Sequence, residues 1–204
     1  MATMGRPRTF DRDKAVEQAM HIFWQNGYES TSLSQLKAAI GNGISAPSFY
    51  AAFGSKEALF QECVQRYLST YAKVTEHLWD TSLAPRDAIE HTLRSSAKMQ
   101  SERGHPKGCM VGLGVMSAPS EQHAAVTVPL ARSRARTRAG IAACVQRGID
   151  SGVLRPDTDA AGLATVFDAF LLGLSTLNRD GVRHAAIDAA ITQVMAVWDA
   201  AAVR

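Results

Sequence analysis

The sequence lacks the features that would place it in a membrane or outside the cell. No uninterrupted apolar run reaches about 18 residues, the minimum for a membrane-spanning helix. The polar start Met-Ala-Thr-Met-Gly-Arg-Pro-Arg has no apolar centre of a secretory signal. Three widely spaced cysteines, Cys63, Cys109 and Cys144, fit neither a disulfide framework nor a Cys-x-x-Cys metal site. We therefore expect a cytoplasmic protein with reduced thiols and no membrane contact.

Proline and charge are also sparse. Only seven of the 204 residues are proline and 20% are charged, whereas 46% are hydrophobic, which favours a packed core over long disordered tracts. The net charge of +3 is too small to prove a nucleic-acid partner, but it does not oppose one as a strongly acidic chain would. No stretch alternates apolar and polar residues between hairpin turns, so we predict an all-α fold.

Motifs of catalysis and metal binding are missing as well. Neither Gly-x-Ser-x-Gly nor His-Glu-x-x-His occurs, and no Gly-rich phosphate loop follows a strand. None of the six histidines has a second one four positions away, as a helical metal site would need. We predict that the protein is not an enzyme and binds no cofactor or metal. A small helical enzyme, or an adaptor that does not bind DNA, remains the alternative.

The N-terminal quarter contains helices with clear ends. Apolar residues three and four positions apart predict a first helix that Asp11 caps and Gly27 ends. A second helix begins at a Ser-x-x-Gln capping box with Ser32 as the N-cap, and Gly41-Asn42-Gly43 ends it in a turn. Ser45 can cap a third short helix, since proline is tolerated in a first helical turn. Three short helices with a Gly-containing turn predict a helix-turn-helix, whose last helix lies in a major groove.

An ordered set of residues repeats a known pattern within this module. They are Phe23, Gly27, Tyr28, Thr31, Ser32, Leu36, Ala39, Gly41, Ile44, Ser45, Phe49, Tyr50, Phe53, Ser55, Lys56 and Glu57. Written as F-x-x-x-G-Y-x-x-T-S and F-Y-x-x-F-x-S-K-E, the set resembles the TetR family of bacterial repressors. The sequence departs from the usual pattern in two extra turn residues, Asn42-Gly43, and in Ala52, where the family often has His or Tyr.

The resemblance implies a homodimeric repressor that binds a double-stranded DNA operator and is released by a small-molecule effector of unknown identity. Residues 1–10 are predicted to be a flexible basic arm and residues 11–54 the helix-turn-helix DNA-binding domain. Residues 55–204 are predicted to be a helical effector-binding and dimerisation domain, which opens with one long helix from Lys56 to about Trp79.

We expect DNA contacts from the basic arm, the helix starts and the outer side of the third helix. Basic arms enter minor grooves, helix N-termini favour phosphate, and small side chains approach base edges. Tyr50 and Lys56 resemble the family's phosphate-contacting Tyr and Lys. The predicted DNA-binding residues are Arg6, Arg8, Thr31, Ser32, Ser45, Ala46, Ser48, Tyr50, Ala51 and Lys56.

Two further sets of residues are predicted in the C-terminal domain, one for an effector pocket and one for a dimer interface. Large apolar and sulfur-containing residues at helical spacing also form ordinary core. The predicted effector-pocket residues are Trp79, Met99, Cys109, Met110, Met116 and Phe167. Cys109 follows Lys107 closely, so it is either a reactive thiol or a buried packing residue. The last two helices have regular apolar stripes, and the resemblance implies that two copies of them form a four-helix dimer interface. The predicted interface residues are Phe167, Phe170, Leu171, Leu174, Ile187, Ile191, Val194, Met195 and Trp198.

Overall fold

The computed structural model describes residues 11–114 and 120–203. Most of the described chain is helical. It contains no strand beyond the isolated bridge between Leu154 and Ala202, so the all-α prediction is confirmed. The α-helices are α1 (Arg12–Asn26), α2 (Leu33–Ala39), α3 (Ala46–Phe53), α4 (Lys56–Ser69), α5 (Pro85–Ser101), α6 (Met110–Leu113), α7 (Val128–Asp150), α8 (Ala160–Arg179) and α9 (His184–Ala201). Short 3-10 helices cover Ile40–Asn42, Tyr71–Trp79 and Glu121–Thr127.

The N-terminal helices begin where the sequence predicts. Asp11 caps α1, Ser45 caps α3 and Ser55 caps α4, each by accepting a hydrogen bond from the backbone N–H three residues further on. Ser32 and Gln35 form the expected capping box at the start of α2, with both reciprocal hydrogen bonds present. The short helices of this module are therefore positioned by local contacts that the sequence encodes.

The predicted long helix from Lys56 to Trp79 is wrong, because α4 ends at Ser69 and a 3-10 helix follows. The hydroxyls of Ser69 and Thr70 both donate to the carbonyl of Arg66, at 3.0 and 2.7 Å. That carbonyl is the acceptor that the backbone N–H of Thr70 would need in a continuing α-helix. The N–H of Thr70 bonds to the carbonyl of Tyr67 instead, so side-chain hydrogen bonds compete with the helix and end it.

Two hydrophobic cores organise the chain. The first core contains residues of α1, α2, α3 and α4. It also includes buried residues of α5, α6 and α7, among them Met99, Met110 and Leu130. The second lies among α5, α7, α8 and α9. Leu59 and Phe60 of α4 belong to the first core, so α4 packs as part of the N-terminal module although it follows residue 54. The division of the chain at residue 54 stays a prediction.

One described helix, α8, is long and apolar enough by length and composition to cross a membrane. Of its most apolar window, 39% is buried inside the fold, and core helices of soluble proteins pass the same test. The ion pair of Asp168 with Arg138 interrupts the apolar surface of α8. We therefore treat α8 as a packed helix of this fold.

Candidate nucleic-acid interface and ligand cavity

The inner side of α3 anchors it in the first core. Phe49 is fully buried and Phe53 is 6% exposed, and their rings lie 5.4 Å apart between centroids. These two aromatic side chains fix the rotation of α3 about its axis. They thereby determine which residues of this helix face outward.

The outer side of α3 presents small side chains and one aromatic ring. Ser48 and Ala51 are exposed, Ala46 is half-buried, and 51% of Tyr50 is exposed. The hydroxyl of Ser48 lies 2.9 Å from that of Ser45, and each keeps capacity for a further hydrogen bond. The structure thus brings these predicted DNA-binding residues onto one accessible surface, and their contact with DNA stays a prediction.

Lys56 lies at the first position of α4, just beyond the end of α3. Its ammonium group sits 4.2 Å from the centroid of the Tyr28 ring, an orientation that a cation–π contact stabilises. Partial burial lowers the pKa of Lys56. Tyr28 is itself buried against Phe60 of α4, so the lysine is held at a fixed place beside α3.

The prediction for Thr31 is contradicted by its burial. Thr31 is 0% exposed, and its hydroxyl donates a 2.7 Å hydrogen bond to the carbonyl of Gly27. It joins the end of α1 to the start of α2 and has no surface left for phosphate. Ser32 is exposed, and its hydroxyl oxygen accepts from the backbone N–H of Gln35. Arg6 and Arg8 lie outside the described residues.

The turn between α2 and α3 contains the two additional residues. Gly41, Asn42 and Gly43 all have positive φ, at 59°, 63° and 98°. Glycine takes this conformation without strain and asparagine tolerates it better than most residues. The N–H of Ile44 bonds to the carbonyl of Lys37 at 2.9 Å, which closes the turn back onto α2. The longer turn is therefore a defined structure rather than a loose one.

A cavity lies between the N-terminal module and the C-terminal helices. It encloses about 540 Å³ of empty space, including the part open to solvent. Its lining comes from α4 to α8 and the 3-10 helix after α4. The lining residues are Tyr67, Ala72, Val74, Thr75, Ser96, Met99, Gln100, Cys109, Val111, Gly112, Ser133, Arg134, Thr137, Asp168, Leu171, Leu172 and Ser175.

Of the predicted pocket residues, Met99 and Cys109 line this cavity. The other described ones lie elsewhere. Trp79 is 41% exposed, with the guanidinium of Arg136 5.0 Å from its ring centroid. Met110 is packed in the first core, and Phe167 is packed in the second beside Trp198. Met116 lies outside the described residues.

The cavity wall holds Cys109 in a small hydrogen-bond network. The hydroxyl of Tyr67 donates to the sulfur of Cys109 at 3.2 Å, and the N–H of Gly112 donates to it at 3.4 Å. Burial raises the pKa of Tyr67 well above its ordinary value, so this hydroxyl remains a donor. Opposite charges meet at another point of the wall, where the Nε of Arg138 lies 2.8 Å from a carboxylate oxygen of Asp168.

Sequence reasoning missed the polar residues of the cavity. Ser96 and Gln100 of α5 are each 2% exposed, and Asp168 of α8 is 8% exposed. Ser96 and Gln100 lie four residues apart on the buried side of an amphipathic helix. Polar side chains inside an apolar stripe were a signal that could have found them, because a buried polar group needs a partner. Within the described residues, no group of three or more His, Cys, Asp or Glu is placed to hold a metal ion.

Helix α4 extends from the cavity to the end of α3, the helix that presents the predicted DNA-binding residues. Tyr67, near its end, lines the cavity, while Lys56 is its first residue. Two ion pairs tie α4 to α1. Arg12 pairs with Glu62, and Arg66 pairs with Asp13 at 2.8 Å. Helix α4 therefore contacts both the cavity and α1 of the N-terminal module.

A second connection joins the start of the α1–α2 turn to the segment before α7. One carboxylate oxygen of Glu29 accepts hydrogen bonds from the backbone N–H and the hydroxyl of Ser120, both at 3.0 Å. His123 Nδ1 lies 2.9 Å from the same oxygen. These bonds lower the pKa of Glu29, with the Ser120 N–H as the largest cause. The contact holds the two parts of the chain together at their surface.

The structure corrects the predicted dimer interface. Of its nine residues, only Phe170 and Val194 are half-exposed, whereas the others are at most 9% exposed in the isolated chain. These seven side chains build the chain's own second core and leave almost no surface for a partner. They are Phe167, Leu171, Leu174, Ile187, Ile191, Met195 and Trp198.

The outward sides of α8 and α9 are mostly apolar, although Thr176 and Gln193 are exposed polar residues. The acidic residues of α9 turn toward α5, because Asp188 pairs with Arg94 at 2.5 Å and Asp199 pairs with Arg86 at 2.7 Å. Small and apolar side chains occupy most of the exposed and half-exposed positions of both helices. They include Thr165, Val166, Ala169, Phe170, Gly173 and Leu177 on α8, and Ala186, Ala189, Ala190, Val194 and Val197 on α9. We call this set the α8–α9 outer face.

Two family patterns match the chain. Residues 15–63 match the pattern described as "Bacterial regulatory proteins, tetR family". Residues 85–194, more than half of the chain, match "Tetracyclin repressor-like, C-terminal domain". Both parts of the molecule therefore match patterns of the same kind of regulator.

Individual proteins agree with these patterns. The HTH-type transcriptional repressor ComR of Escherichia coli (strain K12) is 31% identical over 179 residues, which are 87% of this chain and 83% of ComR. The repressor BdcR of the same organism is 33% identical over 113 residues, 55% of this chain and 56% of BdcR. A solved structure of the TetR family regulator CifR, a cysteine mutant on 26-base-pair operator DNA, is 35% identical. Its TM-score is 0.83, with 95% of this chain and 100% of that chain covered.

Proposed function

Because this chain belongs to the TetR family and is a transcriptional repressor rather than an enzyme, we propose that it acts as a cytoplasmic homodimer. In this proposal the N-terminal module of each subunit binds one half of a palindromic operator. A small molecule in the cavity of each subunit then releases the dimer from DNA.

The proposed DNA contacts combine phosphate positioning with limited base readout. In this proposal Lys56, held against the ring of Tyr28, and Tyr50, which is 51% exposed, contact phosphates. Small side chains at Ser48 and Ala51 let α3 approach base edges closely and contact thymine methyl groups. CifR, which shares the fold of this chain over 95% of its length, is solved on operator DNA. With few long polar side chains on α3, phosphate contacts and DNA shape supply much of the affinity.

The α8–α9 outer face supports dimerisation. Two copies of α8 and α9 packed through these faces would form a four-helix bundle that hides apolar surface from water. Val166 and Val197 are each 41% exposed in the single chain. Dimerisation also matches the geometry of DNA, since two recognition helices must reach half-sites about one helical turn apart.

Release by a ligand requires that the ligand bind the DNA-free conformation more tightly than the DNA-bound one. A ligand with equal affinity for both conformations shifts nothing, whatever its affinity. The cavity is suited to such a bias because Tyr67, a residue of its wall, belongs to the helix that begins with Lys56. This shared helix is the observation that carries the proposal.

A gel-shift assay on the DNA upstream of the protein's own gene tests the proposal. We expect a specific shift at low salt that weakens steeply as salt rises, because phosphate contacts release counterions. Competition with unrelated DNA of the same length distinguishes specific from general binding. Absence of a specific shift at low salt would contradict operator binding by this chain at that site.

A further inference from the structure

Two buried side chains of α5 in the cavity wall each have a polar atom without a hydrogen-bond partner. Ser96 and Gln100 are each 2% exposed, and as residues four apart they lie on the same side of the helix. Within the described chain, neither the hydroxyl of Ser96 nor the amide oxygen of Gln100 makes a hydrogen bond. Buried polar atoms are paired in the large majority of cases, and an unpaired one is costly. A bound molecule can complete this pair.

The chemistry of the wall restricts what that molecule can be. An amide oxygen only accepts hydrogen bonds, so Gln100 requires a donor, while the hydroxyl of Ser96 can accept or donate. The charged residues of the lining are Arg134 and Asp168, and Asp168 is already paired with Arg138. Most of the remaining lining is apolar, with Tyr67, Val111 and Leu171 among its members. A buried cation would lose its hydration there without a free counter-charge.

We infer that the cavity selects a mostly apolar small molecule that carries a hydroxyl or N–H group, and that Gln100 and Ser96 receive this donor. The cavity holds about 540 Å³ of empty space, part of it open to solvent. The inference rests on the proposed function only for the claim that this cavity is the effector site. Gln100 and Ser96 are thereby the residues that determine specificity.

Matched probes test this inference on the full-length protein. The probes are para-cresol, its methyl ether para-methylanisole, which lacks the donor, and para-toluate, which carries a negative charge. Titration calorimetry measures each dissociation constant. We expect para-cresol to bind about tenfold more tightly than para-methylanisole, the value of one hydrogen bond to a buried acceptor. We expect para-toluate to bind more weakly than para-cresol, because a carboxylate has no hydrogen to donate to Gln100.

Two variants assign the preference to the proposed residues. Gln100→Met keeps the size of the side chain and removes the acceptor, so the ratio of the two constants should fall toward one. Ser96→Ala should lower the ratio in part. Met99→Leu, a change of another lining residue without polar chemistry, should leave the ratio unchanged. Since neither the Ser96 hydroxyl nor the Gln100 amide oxygen has a partner in the described chain, we expect the loss of these atoms not to lower Tm.

The outcomes separate this inference from the proposed function. Any one of four results would overturn the inferred donor preference. They are equal affinities for para-cresol and its ether, an unchanged ratio in Gln100→Met, tighter binding of para-toluate than of para-cresol, and no binding of para-cresol up to its solubility limit. Protection of Cys109, another lining residue, from iodoacetamide by para-cresol would support binding in this cavity. Operator release is measured separately. If para-cresol binds as expected but leaves the DNA complex intact, the donor preference stands and the effector role of the cavity fails.

Discussion

Replacing Lys56 by glutamine should reduce the salt dependence of operator binding. The ammonium group is held 4.2 Å from the ring of Tyr28, beside the outer surface of α3, and glutamine removes its charge. A lysine that neutralises a phosphate displaces condensed counterions from the DNA. The loss of this lysine therefore affects binding to every sequence and changes the response to salt more than the preference among bases.

The size of the effect follows from one contact in each subunit. Each phosphate contact contributes about 0.9 to the slope of log K against log salt concentration, so a dimer that loses two contacts should lose about 1.8. The contact with Tyr28 contributes about 0.5–1 kcal/mol to stability at most for a partly exposed pair. Its loss should lower Tm by only a few degrees, because about 1 kcal/mol shifts Tm by roughly 2–4 °C in a chain of this size.

Fluorescence anisotropy with a labelled operator duplex measures the slope over a series of salt concentrations. Lys56→Arg keeps the charge and should keep the slope. Lys73→Gln removes an exposed lysine of the C-terminal part and serves as the control for net charge. A slope that is the same for Lys56→Gln and the unsubstituted protein would refute the assignment of Lys56 to a phosphate.

Three further predictions concern assembly, packing and pH. Val197→Glu, on the α8–α9 outer face, should leave the subunit folded but give the mass of a monomer by light scattering; a stable dimer would exclude this face as the interface. A Cβ at Gly148 would lie 2.8 Å from the ring of Trp198, so Gly148→Ala should cost about 1–3 kcal/mol in overpacking against about 1 kcal/mol of helix propensity gained. Calorimetry should therefore record a lower Tm, and an increase would contradict this packing. The pKa of Glu29 in the folded chain is lowered, mainly by the hydrogen bond from the Ser120 N–H. The contact of Glu29 therefore stabilises the fold fully above the ordinary pKa of glutamate, and this stabilisation is lost as pH falls through the pKa of Glu29 in the folded chain. Glu29→Gln should thus lower Tm at neutral pH and not in acid, and an equal difference at both would argue against this contact.

Local features of the fold could be predicted from the sequence because they depend on neighbouring residues. Ser32 and Gln35 cap α2, and Ser45 caps α3, at the predicted positions. The prediction of one long helix was wrong for a local reason too, since the hydroxyls of Ser69 and Thr70 donate hydrogen bonds to the carbonyl of Arg66. Apolar periodicity continued past this point and concealed the break.

The dimer face could not be read from periodicity alone. Ile191 and Trp198 follow the regular stripe of α9 but pack inside the subunit, whereas Val197 lies outside the stripe and faces outward. A stripe indicates that a face is buried, but it does not distinguish burial in the same chain from burial against another. The pairing of Asp188 and Asp199 with arginines of α5 was needed to find the uncharged side.

The lining of the cavity could not be predicted in full, because segments that are distant in the sequence come together to form its wall. Met99 and Cys109 were predicted and line it, but the same criterion of large or sulfur-containing side chains also selected Trp79 and Phe167, which do not. Residues of these types fill ordinary cores equally well. The more informative signal was polarity on a buried helix face, as at Gln100.

Selection of bound duplexes from a random DNA pool is the most direct test of the central claim that two subunits hold two recognition helices on an operator. We predict enrichment of an inverted repeat whose half-site centres are separated by about one helical turn, bound by two chains. Enrichment of a single unrepeated site bound by one chain, or of no sequence at all, would contradict it.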